Sequence, residues 1–276
     1  MVKVSTIGSK LQSLKQYFKE QERVAIAFSG GVDSTFLLSV AMEVLGKENV
    51  TAITCRSSVL ARSEISESIR LGKELGTPHR MIDVDPLQNP EFVKNPENRC
   101  YLCKRAIFGQ MIQLVKEEKL GVLMEGSQAD DERDYRPGRR ALEELDIKSP
   151  LSLLRFTKEE IRSLSQERGL TVWNKPSLAC LASRIPYGSE ISYEKLRRVE
   201  EAEDAIRALG FFQVRVRNHG TVARIEIEDS ELSRWADPKL RQVAVSALKQ
   251  VGFTYVTLDL EGYRTGAMNE ASLIPF

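Results

Sequence analysis

Short apolar runs alternate with longer amphipathic segments through the N-terminal part of the chain. The amphipathic segments include residues 8–20, 63–75 and 104–119, where apolar residues recur at helical spacing. The apolar runs have the length of strands and lie at Val24–Phe28, Val50–Cys55, His79–Val84 and Val122–Glu125. Strands that alternate with helices indicate a doubly wound parallel sheet, so we predict an α/β fold for this part of the chain.

The pattern changes near Ser183. A long helix, two strands around a turn, a second helix and a closing strand are predicted at residues 192–209, 213–217, 222–228, 238–251 and 255–260. Because this order is an α+β layout, we predict a smaller C-terminal α+β domain. The expected domains are residues 1–182 and 183–276.

The first apolar run ends in the sequence Ser29-Gly30-Gly31-Val32-Asp33-Ser34, and a helical pattern follows. Glycines let backbone amides approach a bound group, and Asp33 or Ser34 can cap the helix. Amides at a helix N-terminus form an anion site, here best suited to a polyphosphate. The segment is not a Walker A motif, because no Gly-Lys-Ser/Thr follows. We predict that Ser29, Gly30, Gly31, Asp33 and Ser34 bind nucleotide phosphates; an ordinary strand–helix turn is the alternative.

Other residues at strand ends are candidates for the same site, since ligands of doubly wound sheets bind beyond the carboxyl ends of the strands. Arg56 and Gly126 lie at two such ends, and Asp83 lies at a third. The charged loop Asp130–Arg140 follows the fourth strand. Its arginines, including Arg136, suit phosphates and its carboxylates suit Mg²⁺, although a solvated loop is the alternative.

Composition narrows the function classes. Forty Lys and Arg against 39 Asp and Glu give a net charge of +1, so nothing global indicates nucleic-acid binding. No apolar stretch has the length of a membrane span, and the N-terminus lacks a signal-peptide core, so we expect a cytoplasmic protein. Four cysteines are too few for a disulfide scaffold in 276 residues. In a reducing compartment, clustered cysteines indicate metal binding or chemistry.

Cys100-Tyr101-Leu102-Cys103 is a C-x-x-C motif where a loop is predicted to enter a helix, and three interpretations compete. A zinc site needs two more ligands, and the chain has only two histidines. A thioredoxin-like redox pair would follow a first strand, which this motif does not. An iron–sulfur cluster with one open iron needs a third thiolate, which Cys180 in the interdomain loop can supply. Cys55 is predicted to be a buried apolar residue.

Arg215-Val216-Arg217 places two arginines on one face of a strand, because side chains repeat every two residues. Arg224 and Glu226 share a face of the next strand in the same way. An exposed ladder of salt bridges is one interpretation, and an anion clamp for a phosphate-bearing substrate is the other. The interdomain segment Ser183–Gly188 is expected to close over the cleft in which such a substrate would bind.

The chain resembles a known family at this point. Ser-Gly-Gly-Val-Asp-Ser after a strand resembles the PP-loop of the ATP pyrophosphatases, which cleave ATP between its α- and β-phosphates. Further segments resemble the LarE family of that superfamily, the pyridinium-3,5-biscarboxylic acid mononucleotide sulfurtransferases of nickel-pincer nucleotide synthesis, which serves lactate racemase. These segments are Asp134–Gly138, Ser183–Gly188, Arg215–Arg217, Ala223–Glu226 and Tyr255–Leu260. The resemblance covers nearly the whole chain.

The resemblance implies a reaction. ATP and Mg²⁺ would bind the PP-loop (adenine nucleotide alpha hydrolase-like) domain, a substrate carboxylate would attack the α-phosphorus, and a sulfur nucleophile would convert the acyl-adenylate to a thiocarboxylate. The residues implied around the nucleotide-like dicarboxylate substrate are Ser183, Arg184, Glu203, Arg215 and Arg217, with the arginines on its phosphate. Cys100, Cys103 and Cys180 match members whose [4Fe-4S] cluster carries the transferred sulfide. A sulfide donor and a homo-oligomer, such as a hexamer, are further expectations.

Several alternatives stay open. Some LarE members sacrifice a single cysteine, which becomes dehydroalanine. The tRNA thiolases of the superfamily usually bring zinc-binding cysteine pairs or an RNA-binding appendage, and neither is visible in this sequence. An ammonia-using ligase shares the PP-loop but does not need three cysteines. A nucleotide-binding regulator without catalysis is the candidate from another class.

Overall fold

The computed structural model of the protein describes residues 6–133, 138–176 and 179–264. Its contacts divide the chain into two compact units. Unit 1 consists of residues 1–86 and 97–177, and unit 2 consists of residues 87–96 and 178–276. The segment 87–96 therefore belongs with the C-terminal residues although it lies early in the sequence. The functional domain boundary after residue 182 stays a prediction.

Unit 1 is built on a four-stranded parallel sheet with the strand order β3-β2-β1-β4. The strands are β1 (Val24–Ala27), β2 (Val50–Arg56), β3 (His79–Asp83) and β4 (Val122–Met124). The order reverses at β1, because β2 and β4 flank it on opposite sides. Ligands of such sheets bind at the reversal point, so the carboxyl end of β1 is the expected site.

The helices are interspersed with the strands. In chain order they are α1 (Ile7–Lys19), α2 (Val32–Leu45), α3 (Arg62–Leu75), α4 (Pro90–Val93), α5 (Arg99–Glu117), α6 (Gly138–Glu144), α7 (Pro150–Leu153), α8 (Lys158–Glu167), α9 (Tyr193–Ala208) and α10 (Pro238–Gln250). Of these, α4, α9 and α10 belong to unit 2. Within residues 6–133, 138–176 and 179–264, no helix is long and apolar enough to cross a membrane.

Two apolar cores cover the two faces of the sheet in unit 1. Val24 and Ile26 of β1 point into one core with Phe36 of α2, and Ala25 points into the other with Phe108 of α5. Successive strand residues face opposite sides, so a strand buried on both sides is apolar throughout. This burial explains the continuous apolar run in the sequence and confirms the predicted doubly wound α/β fold.

Unit 2 contains a three-stranded sheet with the order β5-β6-β7. β5 (Val214–His219) pairs antiparallel with β6 (Val222–Ile227), and β7 (Tyr255–Leu258) lies parallel to β6. Its core joins the apolar residues of these strands to those of α9 and α10, including Ile206, Ile225 and Leu248. The predicted α+β layout and the turn between its first two strands are confirmed.

One element boundary was predicted wrongly. Helix α5 begins at Arg99 rather than Lys104, so Cys100 and Cys103 lie on the first turns of the helix rather than at the junction where a loop enters it. The three prolines of residues 85–99 predict a long loop there, but this segment contains α4, which starts with Pro90 after the capping residue Asn89. Proline is compatible with the first position of a helix, so the prolines of this segment did not exclude a helix.

Candidate functional site

Ser29, Gly30 and Gly31 form a tight loop between β1 and α2. Ser34 Oγ donates a hydrogen bond to the carbonyl oxygen of Gly31 (3.2 Å) and lies 3.1 Å from Ser29 Oγ. The amide of Gly31 donates to Ser29 Oγ (3.3 Å), and no side chain caps α2 at Gly31. The N-terminus of a 14-residue helix thus meets a loop of small residues. This is the geometry of an anion site.

Two glycines allow the backbone to come this close. Gly30 has a φ of 69°, and a Cβ there would lie 3.0 Å from the Cα of Ser68. A Cβ on Gly126, just after β4, would lie 3.0 Å from the amide nitrogen of Ser34 and 3.3 Å from Asp33 Cβ. Any larger residue at Gly126 would displace backbone. The structure therefore brings Gly126 together with Asp33 and Ser34, as the positions of the strand ends predicted.

Asp33 lies in the first turn of α2 and is only partly neutralised. Lys158 Nζ donates to Asp33 Oδ2 (2.6 Å), while the buried Oδ1 accepts no hydrogen bond from any described residue. Burial raises the pKa of Asp33 in spite of the neighbouring Lys158. Mg²⁺ is a hard cation that takes carboxylate oxygens, so this orphaned oxygen beside an anion site fits a magnesium-bound polyphosphate.

Three cations approach the loop from α8 and the turn after it, and sequence reasoning missed all of them. Besides Lys158, Lys175 Nζ donates to the carbonyl oxygen of Gly30 (3.2 Å), and Arg162 Nη2 donates to the carbonyl oxygen of Lys175 (3.2 Å). Lys158 directly follows the capping residue Thr157, and Arg162 follows it by one helical turn. That spacing puts both on one helix face, which was the available signal.

A pocket of about 400 Å³ lies at the carboxyl ends of β2 and β3. Its lining residues are Arg56, Ser57, Ser58, Ile65, Asp83, Val84 and Asp85. Arg56 binds Asp83 through two hydrogen bonds of 2.7 Å, which raise the pKa of Arg56 and lower that of Asp83. Arg56 thus lies at the predicted edge of the sheet but is engaged by a neighbouring strand. The pocket has the volume of a small-ligand site.

The cysteines separate into different environments, and none of the four is in a disulfide. Cys100 is exposed and Cys103 is half-buried, one helical turn apart on α5. Cys180 belongs to unit 2, where it precedes the 3₁₀ turn Leu181–Arg184. Cys55 is buried, as predicted, and burial raises its pKa to about 11.

No preformed metal centre is present in the described ranges 6–133, 138–176 and 179–264. There, no group of three or more His, Cys, Asp or Glu side chains is placed to hold a metal ion. Among the described residues, the structure therefore shows three thiols that could bind a cluster, two of them one helical turn apart on α5, but it does not show an assembled cluster site.

Helix α6 begins at Gly138, inside the charged loop predicted for Asp130–Arg140, so that loop is shorter than predicted, and α6 packs closely on the cysteine helix α5. A Cβ on Gly138, the first residue of α6, would lie 2.8 Å from Lys104 Cδ and 3.4 Å from the carbonyl oxygen of Cys100. Glycine thus lets α6 begin directly beside the first cysteine. Arg136, the predicted phosphate ligand, lies outside the described residues.

Unit 2 contains a buried arginine–glutamate network. Arg184 and Glu203 are each 1% exposed, and Arg184 donates from Nε to Glu203 Oε1 (2.7 Å) and from Nη2 to Oε2 (3.0 Å). Glu203 also accepts from Arg207 Nη2 (2.6 Å) and from the amide of Val216 (3.1 Å). Burial alone would raise the pKa of Glu203, but the arginines outweigh it and hold the pKa below its usual range. Arg184 and Glu203, both predicted to contact the substrate, therefore bind each other in this structure.

The two arginines of β5 are buried, so the interpretation as an exposed ladder was wrong. Arg217 donates from Nε and Nη2 to the carboxylate of Glu226 (2.9 and 2.6 Å) and from Nη1 to the carbonyl oxygen of Ser183 (3.1 Å). The guanidinium of Arg215 lies 5.1 Å from the ring centre of Tyr263. Burial and the nearby Arg184 lower the pKa of Arg215 to about 10, which leaves it a cation at neutral pH.

Several known proteins are similar to this chain along most of its length. A family model described as NAD synthase matches residues 6–95. An uncharacterized protein of Synechocystis is 42% identical over 263 residues, covering 95% of this chain and 98% of the relative. The pyridinium-3,5-bisthiocarboxylic acid mononucleotide synthase of Lactiplantibacillus plantarum is 36% identical over 270 residues, covering 97% and 96%. An uncharacterized protein of Methanocaldococcus jannaschii is 30% identical over 259 residues, covering 93% and 98%.

Proposed function

The chain belongs to the LarE family of ATP-dependent PP-loop sulfurtransferases, and from that premise we propose its reaction. The protein adenylates a carboxylate of pyridinium-3,5-biscarboxylic acid mononucleotide and converts it to a thiocarboxylate. The observation that carries this proposal is the uncapped loop Ser29–Ser34 with Gly126 beside it, in a chain that matches the named synthase along 97% of its length.

The chemistry explains why ATP is needed. A free carboxylate is a poor electrophile, because its carbon must lose an oxide. Attack of a carboxylate oxygen on the α-phosphorus of ATP breaks the bond to the β-phosphate and releases pyrophosphate. A sulfur nucleophile then attacks the acyl carbon, and the C–O bond to AMP breaks. Because AMP is a good leaving group, the C–O bond to AMP is readily replaced by a C–S bond.

The residues of unit 1 suit the first step. Loop amides at the N-terminus of α2 would bind the phosphates. Lys158 and Lys175 would neutralise the departing pyrophosphate, and Asp33 would hold Mg²⁺ through its orphaned oxygen. The pocket at Arg56 and Asp83 opens at the same edge of the sheet and would take the nucleoside.

The residues of unit 2 divide into contacts and supports. Following the resemblance, we assign Arg215, a buried cation, to the phosphate of the substrate, and Ser183, whose Oγ accepts from Arg184 Nη1 (3.0 Å), to the substrate as well. Arg217 already uses Nε, Nη1 and Nη2 within the protein, and Arg184 is bound to Glu203. Arg184, Glu203 and Arg217 would therefore hold the substrate contacts in place.

The sulfur would come from a [4Fe-4S] cluster held by Cys100, Cys103 and Cys180. Thiolates are the usual ligands of such clusters, and three of them leave one iron open. When bound, the cluster would carry the sulfide that is transferred. The support is the donor set and the one-turn spacing of Cys100 and Cys103, not an assembled site. A sulfide donor and a homo-oligomer remain predictions.

The test is an anaerobic reconstitution with iron and sulfide, followed by incubation with ATP, Mg²⁺ and the dicarboxylate. Pyrophosphate release reports adenylation, and the product mass reports exchange of oxygen for sulfur. Replacing Cys100, Cys103 or Cys180 with alanine should abolish sulfur transfer but leave pyrophosphate release intact. Cys55→Ala is the matched control, since Cys55 is buried in the core, and it should keep both activities.

Other outcomes identify the alternatives. Dehydroalanine at Cys180 after turnover, in protein without iron, would overturn the cluster proposal and favour a sacrificial cysteine. Binding of tRNA together with pyrophosphate release that ignores the dicarboxylate would favour a thiolase. Absence of any substrate-dependent pyrophosphate release would contradict the proposed reaction as a whole.

A further inference from the structure

Asn95 lies in the segment 87–96, which belongs to unit 2. Its side chain is fully buried, and Nδ2 lies within hydrogen-bonding distance of three carbonyl oxygens, those of Ile185 (3.2 Å), Pro186 (2.7 Å) and Ser189 (3.0 Å). The amide of Gly188 donates back to the carbonyl oxygen of Asn95 (3.0 Å). The side chain and backbone of Asn95 therefore hydrogen-bond to the turn formed by residues 185–189, which follows Arg184.

The backbone at Asn95 adds to the specificity of the position. Asn95 has a φ of 57°, in the left-handed region that asparagine tolerates better than most side chains. Only an amide of this length combines that conformation with two N–H donors for buried carbonyl groups. A buried carbonyl left without a donor is costly, so the side chain has a specific task in the fold.

The turn at residues 185–189 directly follows the turn that begins after Cys180. Residues 181–184 form a single 3₁₀ turn, with Cys180 at its start and Ile185 at its end. At the start, the carbonyl oxygen of Cys180 accepts from Arg184 Nη1 (3.0 Å), and Arg184 is fixed by Glu203. At the end, the carbonyl oxygen of Ile185 is held by Asn95. The short turn is thus clamped at both ends by buried polar groups.

We infer that Asn95 is a positioning residue for the sulfur-transfer step, which it serves by fixing the turn that presents Cys180 and Ser183. This inference rests on the proposed function, because it assigns Cys180 and Ser183 to that reaction. Asn95 touches neither substrate nor nucleotide in this assignment. Its effect on adenylation is confined to binding of the dicarboxylate through Ser183, because the nucleotide phosphates are assigned to the loop of unit 1.

The test compares Asn95→Asp with Asn95→Gly. Asn95→Asp keeps the shape but replaces the donor with an oxygen that faces three carbonyl oxygens. Asn95→Gly keeps the left-handed backbone without strain and removes the donor, so it is the milder variant if the first folds poorly. Asn89→Ala is the matched control, because Asn89 lies in the same segment but only caps α4 at the surface.

Two measurements are made on reconstituted full-length protein below the melting temperature of each variant. Sulfur transfer in the Asn95 variants should fall by roughly tenfold to a hundredfold, because small displacements of reacting groups have effects of that size. At saturating dicarboxylate, pyrophosphate release should stay within about twofold of the wild type, because the nucleotide site lies in unit 1; a displaced Ser183 would appear only as a higher KM for the dicarboxylate. In apoprotein, alkylation of Cys180 by iodoacetamide, quantified by peptide mass, should accelerate severalfold while that of Cys100 is unchanged.

A merely structural Asn95 would give a different result. Its variants would melt at a lower temperature, yet Cys180 would be alkylated at the wild-type rate and both half-reactions would decline in parallel. That outcome overturns the inference. If wild-type protein transfers no sulfur, the proposed function fails. The alkylation of Cys180 in the Asn95 variants is still informative in that case: accelerated alkylation shows that Asn95 positions the turn, and an unchanged rate shows that it does not.

Discussion

Asp33 and Glu203 are both carboxylates in largely buried surroundings with cationic neighbours, one in each unit, and their environments act in opposite directions. Asp33 has one lysine partner and a buried oxygen without a hydrogen bond from described residues. Glu203 accepts from two arginines and a backbone amide. Burial raises the pKa of Asp33, while the arginines lower the pKa of Glu203 in spite of its burial.

The difference indicates which carboxylate awaits a ligand. The charge of Asp33 is incompletely compensated by the protein, so a bound cation would complete it. The charge of Glu203 is already satisfied by buried donors, so a ligand would have to break existing bonds. We therefore assign Asp33 to magnesium and Glu203 to the support of Arg184 and the turn that holds Ser183. Three variants test this contrast.

The largest effect is expected in unit 2. Arg184→Met removes the main partner of a fully buried carboxylate, and breaking such a pair costs about 3–5 kcal/mol in the free energy of unfolding. Urea denaturation measures this change. Arg56→Met is the control, because its pair with Asp83 is exposed and should leave the denaturation midpoint unchanged within error. An equal loss of stability in the two variants would contradict the conclusion that Glu203 depends on its buried arginine partners.

A smaller effect, on binding rather than stability, is expected in unit 1. Asp33→Asn keeps the shape but removes the negative charge that would hold Mg²⁺. The affinity for Mg-ATP, measured by titration calorimetry, should fall about tenfold to a hundredfold, as expected for loss of an interaction with a charged group. The stability of ligand-free Asp33→Asn should equal or exceed that of the wild type. Unchanged Mg-ATP affinity would remove Asp33 from the magnesium site.

The smallest effects should appear in the pH dependence of stability, with opposite signs. The folded pKa of Glu203 is lowered, so its contribution is present above the unfolded value of 4.5 and is lost as the pH falls through the folded value. The folded pKa of Asp33 is raised, so its contribution is present below the unfolded value of 3.8 and is lost as the pH rises through the folded value.

Thermal denaturation at pH 4 and pH 7 distinguishes the two. Relative to the wild type, Glu203→Gln should be more destabilised at pH 7 than at pH 4. Asp33→Asn should gain stability relative to the wild type between pH 4 and pH 7. If both differences change in the same direction with pH, the two carboxylates do not differ as the structure indicates.

Much of unit 1 was predictable from sequence because its determinants are local. The strand before Ser29, the glycines after it and the helix that follows are contiguous, so the pattern alone placed an anion site at a strand end. The capping box of Thr157 and Glu160 at the start of α8 is local in the same sense, since its partners are three residues apart. Lys158 was missed because its contact with Asp33 joins residues 125 positions apart.

The sequence by itself determined the fold class, the position of the phosphate loop and the family, because strand burial, glycine turns and contiguous motifs are written along the chain. Only the tertiary structure decided that Arg217 and Glu203 are saturated by buried partners, that Asp33 retains an uncompensated oxygen, and that Asn95 holds a turn some 90 residues away. The physical reason is that hydrogen-bond satisfaction and desolvation depend on neighbours in space. Residue types and spacing alone do not specify those neighbours.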